Sequence, residues 1–414
     1  MAEVFRFRDS RVSSLEEAFS VLEKWRHMAP PGEGDEAVEE LEAALRFLKG
    51  AGGPVCAALQ LGLAMTLGNL WRERGQKAPA MTAYLRGLEV RSELDLKTDA
   101  TRNELANLLT QRAILLLEEK DGGAALLDLD EAIRLRETLP LESEPVYRWG
   151  LAAGWINRGD ALRLESRARE AVASYDHGLE ELESLEPTEW VRWRRAVAWN
   201  NRGLAWKDAG CSDEAHESFE QAVVALAECE EVRSIVTREA ARLQRGDDPR
   251  KVLEVVSPWE RTTPEAAKVS LQARHAIACG LCERPGVTQE GGDWIAETTD
   301  WIEEGLEVAR AWETVGDHTM RPVALDLFRV GLRVYRVCQP QFLAEFVLES
   351  LDPEVSEGAW RDDPDFQASA VEALALALKE SLERGVTEGR SEKELAISAS
   401  LRAADERLAG LQQF

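Results

Sequence analysis

The sequence predicts an all-α array of antiparallel helix hairpins, on three observations. Strand signal is nearly absent, with Val4–Arg8 the one short candidate for period-2 alternation. Ala, Leu, Glu and Arg dominate, and apolar residues recur at i, i+3 and i+4. A gap-free internal repeat runs through the first half of the chain. Together these leave little room for a sheet.

The elements follow in order. Ser14-Leu-Glu-Glu reads as a helix start, a capping hydroxyl ahead of acidic residues in the first turn. Residues 13–48 form helices that cap one end of the array, so 1–60 is an N-terminal capping region. Pro30-Pro31-Gly32 and Gly50–Pro54 break it. Four segments then begin at Leu61, Ala106, Ala152 and Ala196. Their eighth residues are Gly68, Ala113, Gly159 and Gly203, and their eleventh Trp71, Leu116, Leu162 and Trp206. Their twentieth are Ala80, Ala125, Ala171 and Ala215, and their twenty-fourth Tyr84, Leu129, Tyr175 and Phe219. Their twenty-seventh are Gly87, Ala132, Gly178 and Ala222. Small residues let two helices, A and B, approach, and the large ones fill the space left. The turn between A and B falls near the fifteenth position, at Gly75, Lys120-Asp121-Gly122, Ser166 and Gly210.

This pattern resembles the tetratricopeptide repeat (TPR) family, whose signature is Trp, Leu-Gly, Tyr, then Ala, Phe, Ala over about 34 residues. Trp199, Gly203, Trp206, Ala215, Phe219 and Ala222 carry it best, followed by Trp155, Gly159, Ala171 and Tyr175. The starts lie 45, 46 and 44 residues apart, with the excess between helix B and the next helix A. That spacing is similar to the lengthened repeats of the kinesin light chain and of many bacterial TPR proteins. The resemblance covers 61–230 and implies a right-handed superhelical solenoid. Residues 231–414 read as divergent hairpins closing on a C-terminal cap: Glu231–Gln244 with Pro249–Val256, Pro264–Cys282 with Asp293–Glu313, Arg321–Val337 with Gln341–Leu351, and Asp363–Glu383 with Glu392–Leu411. Thr263-Pro-Glu and Ser391-Glu-Lys-Glu mark two of the helix starts.

Composition narrows the function. The 414 residues are 44% hydrophobic, enough for a large core. Asp and Glu number 76 against 50 Lys and Arg, a net charge of −26 that disfavours nucleic acid and anionic membrane surfaces as partners. Six scattered cysteines form no disulfide framework, and the N-terminus lacks a secretory pattern, so a cytoplasmic location is expected. The uncharged run Gly50–Trp71 is long enough to span a bilayer, but its spacing fits a repeat helix better.

No phosphate loop, dinucleotide fingerprint, GxSxG elbow or HExxH helix is present. His177-Gly178 and Cys229 have a spacing similar to that of a cysteine protease dyad, yet His177 falls inside a repeat helix. His275, Cys279 and Cys282 share a helix face and suit zinc, with His318 or Cys338 as a fourth ligand, or are plain core thiols. Glu180-Glu181-Leu-Glu183 and Glu228-Cys-Glu230-Glu231 read as solvated faces rather than acid–base pairs. No catalytic residue, metal or cofactor is expected.

The TPR resemblance implies a concave groove lined by helix A. Its sixth, ninth and twelfth positions supply the candidate partner-binding residues: Asn69, Arg72, Gln111, Asn157, Asp160, Arg163, Asn201 and Lys207. Amides can grip a peptide backbone, donating and accepting at once. The carboxylate clamp of chaperone-binding TPRs is only partly present: Asn69 fits it, but Met65 and Gln111 depart from it. Arg192 and Arg195, with Arg194 and Arg202, form a basic stretch among Trp190, Trp193, Trp199 and Trp206. It suits an acidic peptide, or else core tryptophans with arginines paired to glutamates of adjoining repeats. The expectation is a non-catalytic scaffold or adaptor that binds a protein or peptide. The alternative is a regulatory or inhibitory subunit of a signalling enzyme such as a protease, with a cysteine enzyme third.

Overall fold

The computed structural model describes residues 12–26, 34–282, 293–338 and 363–385, with 342, 343, 346, 347, 350 and 360 between them. Val4–Arg8, the Pro30–Gly32 break, the Ser391 helix start and the 392–411 helix lie outside the described residues. The chain divides into two compact units, Met1–Ala225 and Leu226–Phe414. No strand occurs among the described residues.

Among the described residues the first unit holds ten α-helices: α1 Leu15–Arg26, α2 Gly34–Leu48, α3 Pro54–Glu73, α4 Lys77–Glu89, α5 Asp99–Glu118, α6 Gly122–Arg136, α7 Pro145–Leu164, α8 Ala168–Glu183, α9 Glu189–Asp208 and α10 Ser212–Ala225. The Ser14 hydroxyl accepts from the Glu17 N–H at 3.2 Å, capping α1. From α3 onward the helices are the A and B members of four hairpins, each pair in extensive contact. Thr98, Asp121 and Thr188 cap α5, α6 and α9 through side-chain oxygens.

Every hairpin turns in the same way. The fifteenth residue is left-handed in all four: Gly75 (φ 70), Lys120 (φ 62), Ser166 (φ 59) and Gly210 (φ 76). The residue after it donates back to the carbonyl of the eleventh: Gln76 to Trp71, Asp121 to Leu116, Arg167 to Leu162 and Cys211 to Trp206, each at 2.8–2.9 Å. This six-to-one bond is a Schellman closure, which satisfies carbonyls left open at the helix end.

Beyond the turn, the eighth residue sets the distance between helices. A Cβ on Gly68, Gly159 or Gly203 would lie 2.3, 2.5 or 2.5 Å from the ring of Tyr84, Tyr175 or Phe219. The aromatic ring therefore lies against bare helix backbone. Where the ring is replaced by Leu129, the eighth residue can be Ala113, and both are fully buried. The repeat length has a definite origin too. Each helix A has 20 residues and starts seven before its segment, at Pro54, Asp99, Pro145 and Glu189. Two extra turns at its N-terminus account for most of the excess over the ordinary TPR period. Helix α3 is long and apolar enough to cross a membrane, but most of that stretch is buried inside the fold.

The second unit comprises α11 Val232–Arg245, α12 Pro249–Val256, α13 Pro264–Cys282, α14 Asp293–Thr314, α15 Arg321–Cys338 and α16 Pro364–Gly385. Two of its turns reuse the same closure: Gly246 (φ 98) precedes Asp247, which donates to Arg242, and Gly316 (φ 83) precedes Asp317, which donates to Trp312. Its core stacks Phe328, Phe346, Tyr335, Trp360 and Phe366. The buried Arg274 guanidinium meets the Glu260 carboxylate at 2.7 Å.

Two predictions follow from the turn and the close approach. Lys120→Gly and Ser166→Gly should each stabilise the protein by about 1 kcal/mol, because a side chain at positive φ costs ~1–2 kcal/mol that glycine avoids, less its extra chain entropy. Gly75→Ala should destabilise by a similar amount. Denaturant melts read as midpoint shifts test this, and a loss of stability in either glycine variant would refute it. Gly203→Leu should cost on the order of 1–3 kcal/mol or more through overpacking on Phe219, while Cys211→Ser, half-buried at the turn, should cost little. Equal losses would contradict the assigned register.

Candidate functional site

In the first unit α3 touches α5, α5 touches α7, and α7 touches α9, whereas the B helices make no comparable contacts with one another. The A helices are therefore the tighter, inner layer. Their sixth, ninth and twelfth residues line its face.

The structure brings these residues together in two sets, across repeats one–two and three–four. In the first, the Tyr84 hydroxyl donates to Asn69 at 2.8 Å. Arg72 then reaches into the next repeat, to Gln111 at 3.4 Å and Glu118 at 3.2 Å. In the second, the Tyr175 hydroxyl donates to Asp160 at 2.6 Å, Asn201 donates to the same oxygen at 2.9 Å, and Arg163 pairs with Asp208 at 2.9 Å. The two sets have the same design. The intervening ninth and twelfth positions are apolar in the second repeat, Ile114 and Leu117. The fourth repeat has Leu204 and an exposed Lys207. Only the ninth position alternates, Asn69, Ile114, Asp160, Leu204; the sixth is polar in every repeat and the twelfth is basic in all but the second.

The amides expected to grip a peptide are already engaged. Asn157 is only 8% exposed and accepts a long bond from Arg194 at 3.5 Å. Asn201 ties α9 to α7 through Asp160. Arg195 turns to α8, where it faces Glu183 at 3.5 Å. Arg192 is half-buried, and its Nε has no partner. Trp190 and Trp193 pack at 4.8 Å, and Trp149 reaches Trp190 at 5.9 Å.

The arginines outside the inner face act as staples. Arg158 bonds Asp130 and Ser174, both at 2.7 Å, and Arg202 bonds Asp176 at 2.7 Å and Ser218 at 2.8 Å. Each joins its own helix B to the one before, with the guanidinium over Trp155 or Trp199. Arg202 is thereby accounted for by packing.

Sequence reasoning missed Arg136. This residue ends α6 and is 2% exposed. It donates to Thr110 at 2.9 Å and Asn107 at 2.8 Å, with no carboxylate partner. Burial pulls its guanidinium down to about 10, where it is still charged at neutral pH. Gly150 and Gly154 make room for it: a Cβ on Gly150 would lie 2.8 Å from its Nε. The Gly-x-x-x-Gly spacing within helix A was the available signal.

The catalytic alternatives gain no geometry. His177 packs on Trp155 at 4.7 Å and faces Glu180. Cys229 is 5% exposed and belongs to the second unit. Cys279 lies 3.6 Å from His275, but no cluster of three His, Cys, Asp or Glu occurs among the described residues.

Asp160 gives a pH prediction. Burial pushes its carboxyl up, more than Tyr175, Arg194, Arg163 and Asn201 hold it down. An unfolded aspartate titrates near ~3.9. Above that value the folded state binds more protons than the unfolded one, so Asp160 costs stability as pH rises through its raised folded value. Asp160→Asn keeps both hydrogen bonds and should raise Tm at pH 7, by roughly 2–4 °C per kcal/mol recovered. The gain should close as pH falls toward the unfolded value. A lower Tm at pH 7 would mean that the ionic contacts outweigh the burial.

No protein-family model matches the chain, and no curated protein matches it. Solved structures do. The apo form of RapI is 11% identical, with TM-score 0.47, covering 78% of this chain and 99% of RapI. A tetratricopeptide repeat protein from Parabacteroides merdae is 16% identical, with TM-score 0.47, covering 75% and 99%. A Rap protein complexed with competence and sporulation factor is 13% identical, with TM-score 0.44, covering 97% and 90%. It is the chain's own helix pairing, common turn and glycine–aromatic contacts that make it a TPR-type helical repeat protein.

Proposed function

We propose that the protein is a non-catalytic scaffold or regulator that binds a protein or peptide, one with an acidic segment, on the inner A-helix face of its first unit. One observation carries this reading. Four consecutive A helices present side chains of the same register on one face, rich in amides and charged groups. Such a face fits an extended ligand that meets one A helix about every three residues, since helix axes pack ~8–10 Å apart and an extended chain rises ~3.3 Å per residue. Among the described residues the polar groups of this face form no nucleophile–base pair, which favours binding over chemistry.

Charge placed on the two sides of the hairpins tests it. Ile114→Glu with Ala153→Glu alters the inner face at two half-exposed positions, whereas Leu127→Glu alters a side chain 74% exposed on α6. A partner isolated from the source cell should bind the inner-face variant at least tenfold more weakly, and Leu127→Glu within twofold of wild type. The reverse ranking, with all melting temperatures unchanged, would move the binding site to the B-helix side.

A further inference from the structure

Two arginines, one buried at the end of α6 and one half-buried on α9, lie against α7. Arg136 and Arg194 meet the same face of α7: Arg136 lies against Gly150 and Gly154, and Arg194 bonds Asn157. Positions 150, 154 and 157 follow one stripe at i, i+4 and i+7, spanning about 10 Å. Arg136 has only the neutral acceptors Thr110 and Asn107, although the chain carries 76 acidic residues. Arg274 in the second unit, buried to a similar degree, has Glu260. A buried charge without a counter-ion is costly, and here two glycines and two neutral acceptors are arranged to keep it. Among the described residues Arg194 forms no ion pair within 4 Å; it makes one long bond to Asn157, its Nε is unpaired, and Asp160 acts on it as a counter-charge only at longer range. Beside it, Trp149, Trp190 and Trp193 form a wall at the outer end of α7 and α9, with Trp190 44% exposed. Asp160, one turn further along α7, would repel an anion and limits the site on that side.

We propose that this end of the inner face is a subsite for a carboxylate of an extended peptide: Arg194 makes the contact, Arg136 supports it with buried charge through α7, and the tryptophan wall covers the adjoining peptide side chain. The proposal rests on the reading of the inner face as a peptide site. The carboxylate comes from an Asp or Glu side chain or from the peptide's C-terminus.

The test is selection of a displayed random hexapeptide library on the immobilised full chain. Selected peptides should carry Asp or Glu at one position, or end at a free carboxylate. Remaking a winner with Asn or Gln at that position, or with a C-terminal amide, should weaken binding at least tenfold in one of the two arms and so identify the source. Arg194→Gln should abolish this preference while the rest of the peptide is still bound. Arg136→Met should weaken the acidic peptide and leave Tm unchanged or higher; a lower Tm with unchanged affinity would make Arg136 structural and overturn its part. Acidic winners bound equally by Arg194→Gln, or winners with no acidic position or terminal preference, would overturn the subsite alone. Selection of no peptide by the wild-type chain would overturn the underlying peptide-site reading as well.

Discussion

Everything in the first unit depends on how closely helix A and helix B of a hairpin can approach. Three of the four hairpins press an aromatic ring onto the bare backbone of a glycine, Tyr84 on Gly68, Tyr175 on Gly159 and Phe219 on Gly203. The fourth settles for Leu129 on Ala113. The left-handed residue at the turn then fixes the direction in which helix B returns. With separation and direction set, each hairpin stacks on the next with both its A and its B helix against the following A, while successive B helices stay apart. Stacking in turn aligns the same registers of successive A helices on one face.

Charge follows that geometry. Arg158 and Arg202 at the seventh position bridge successive B helices through Asp130, Asp176, Ser174 and Ser218, whereas Arg112 at the same place pairs with Asp128 of its own helix B. Arginines at the twelfth position run along the inner layer and reach the next repeat, at Glu118 and Asp208. These pairs are partly solvated, so each adds modestly to stability and more to register between repeats. Arg136 differs from both groups. It is buried and charged, and the polar atoms given to it are neutral, so its energy is unfavourable unless an anion approaches. It lies between Asn107 and Thr110 of α5 and the glycines Gly150 and Gly154 of α7.

The fold was legible in the sequence because its determinants are local and repeated. Glycine at the eighth place, an aromatic at the twenty-fourth and a turn residue at the fifteenth recur with no gap, and each acts within one hairpin. Among the described residues, helix bounds after 230 were also readable from Pro, Gly and Asp breakers, as with α12 starting at Pro249 and capped by Asp248. The site was less legible. Register alone placed Asn69, Asp160, Arg72 and Arg163 on a common face, but it said nothing of what each side chain would meet. Asn157 and Asn201 look like open amides in sequence, and in the fold they join α7 to α9.

By itself the sequence determined the repeat, the hairpin turn and the net charge of −26. The tertiary structure decided which charges are compensated. Pairing depends on residues tens of positions apart, as with Arg163 and Asp208 or Arg72 and Glu118, whose approach is set by the stacking of one hairpin on the next. No spacing rule within a helix contains that distance. Arg136 shows the difference most plainly: in sequence it is an ordinary basic residue in a helix's last turn, where cations are favoured. Only when α7 brings Gly150 and Gly154 against it does it become a buried charge that has no acid.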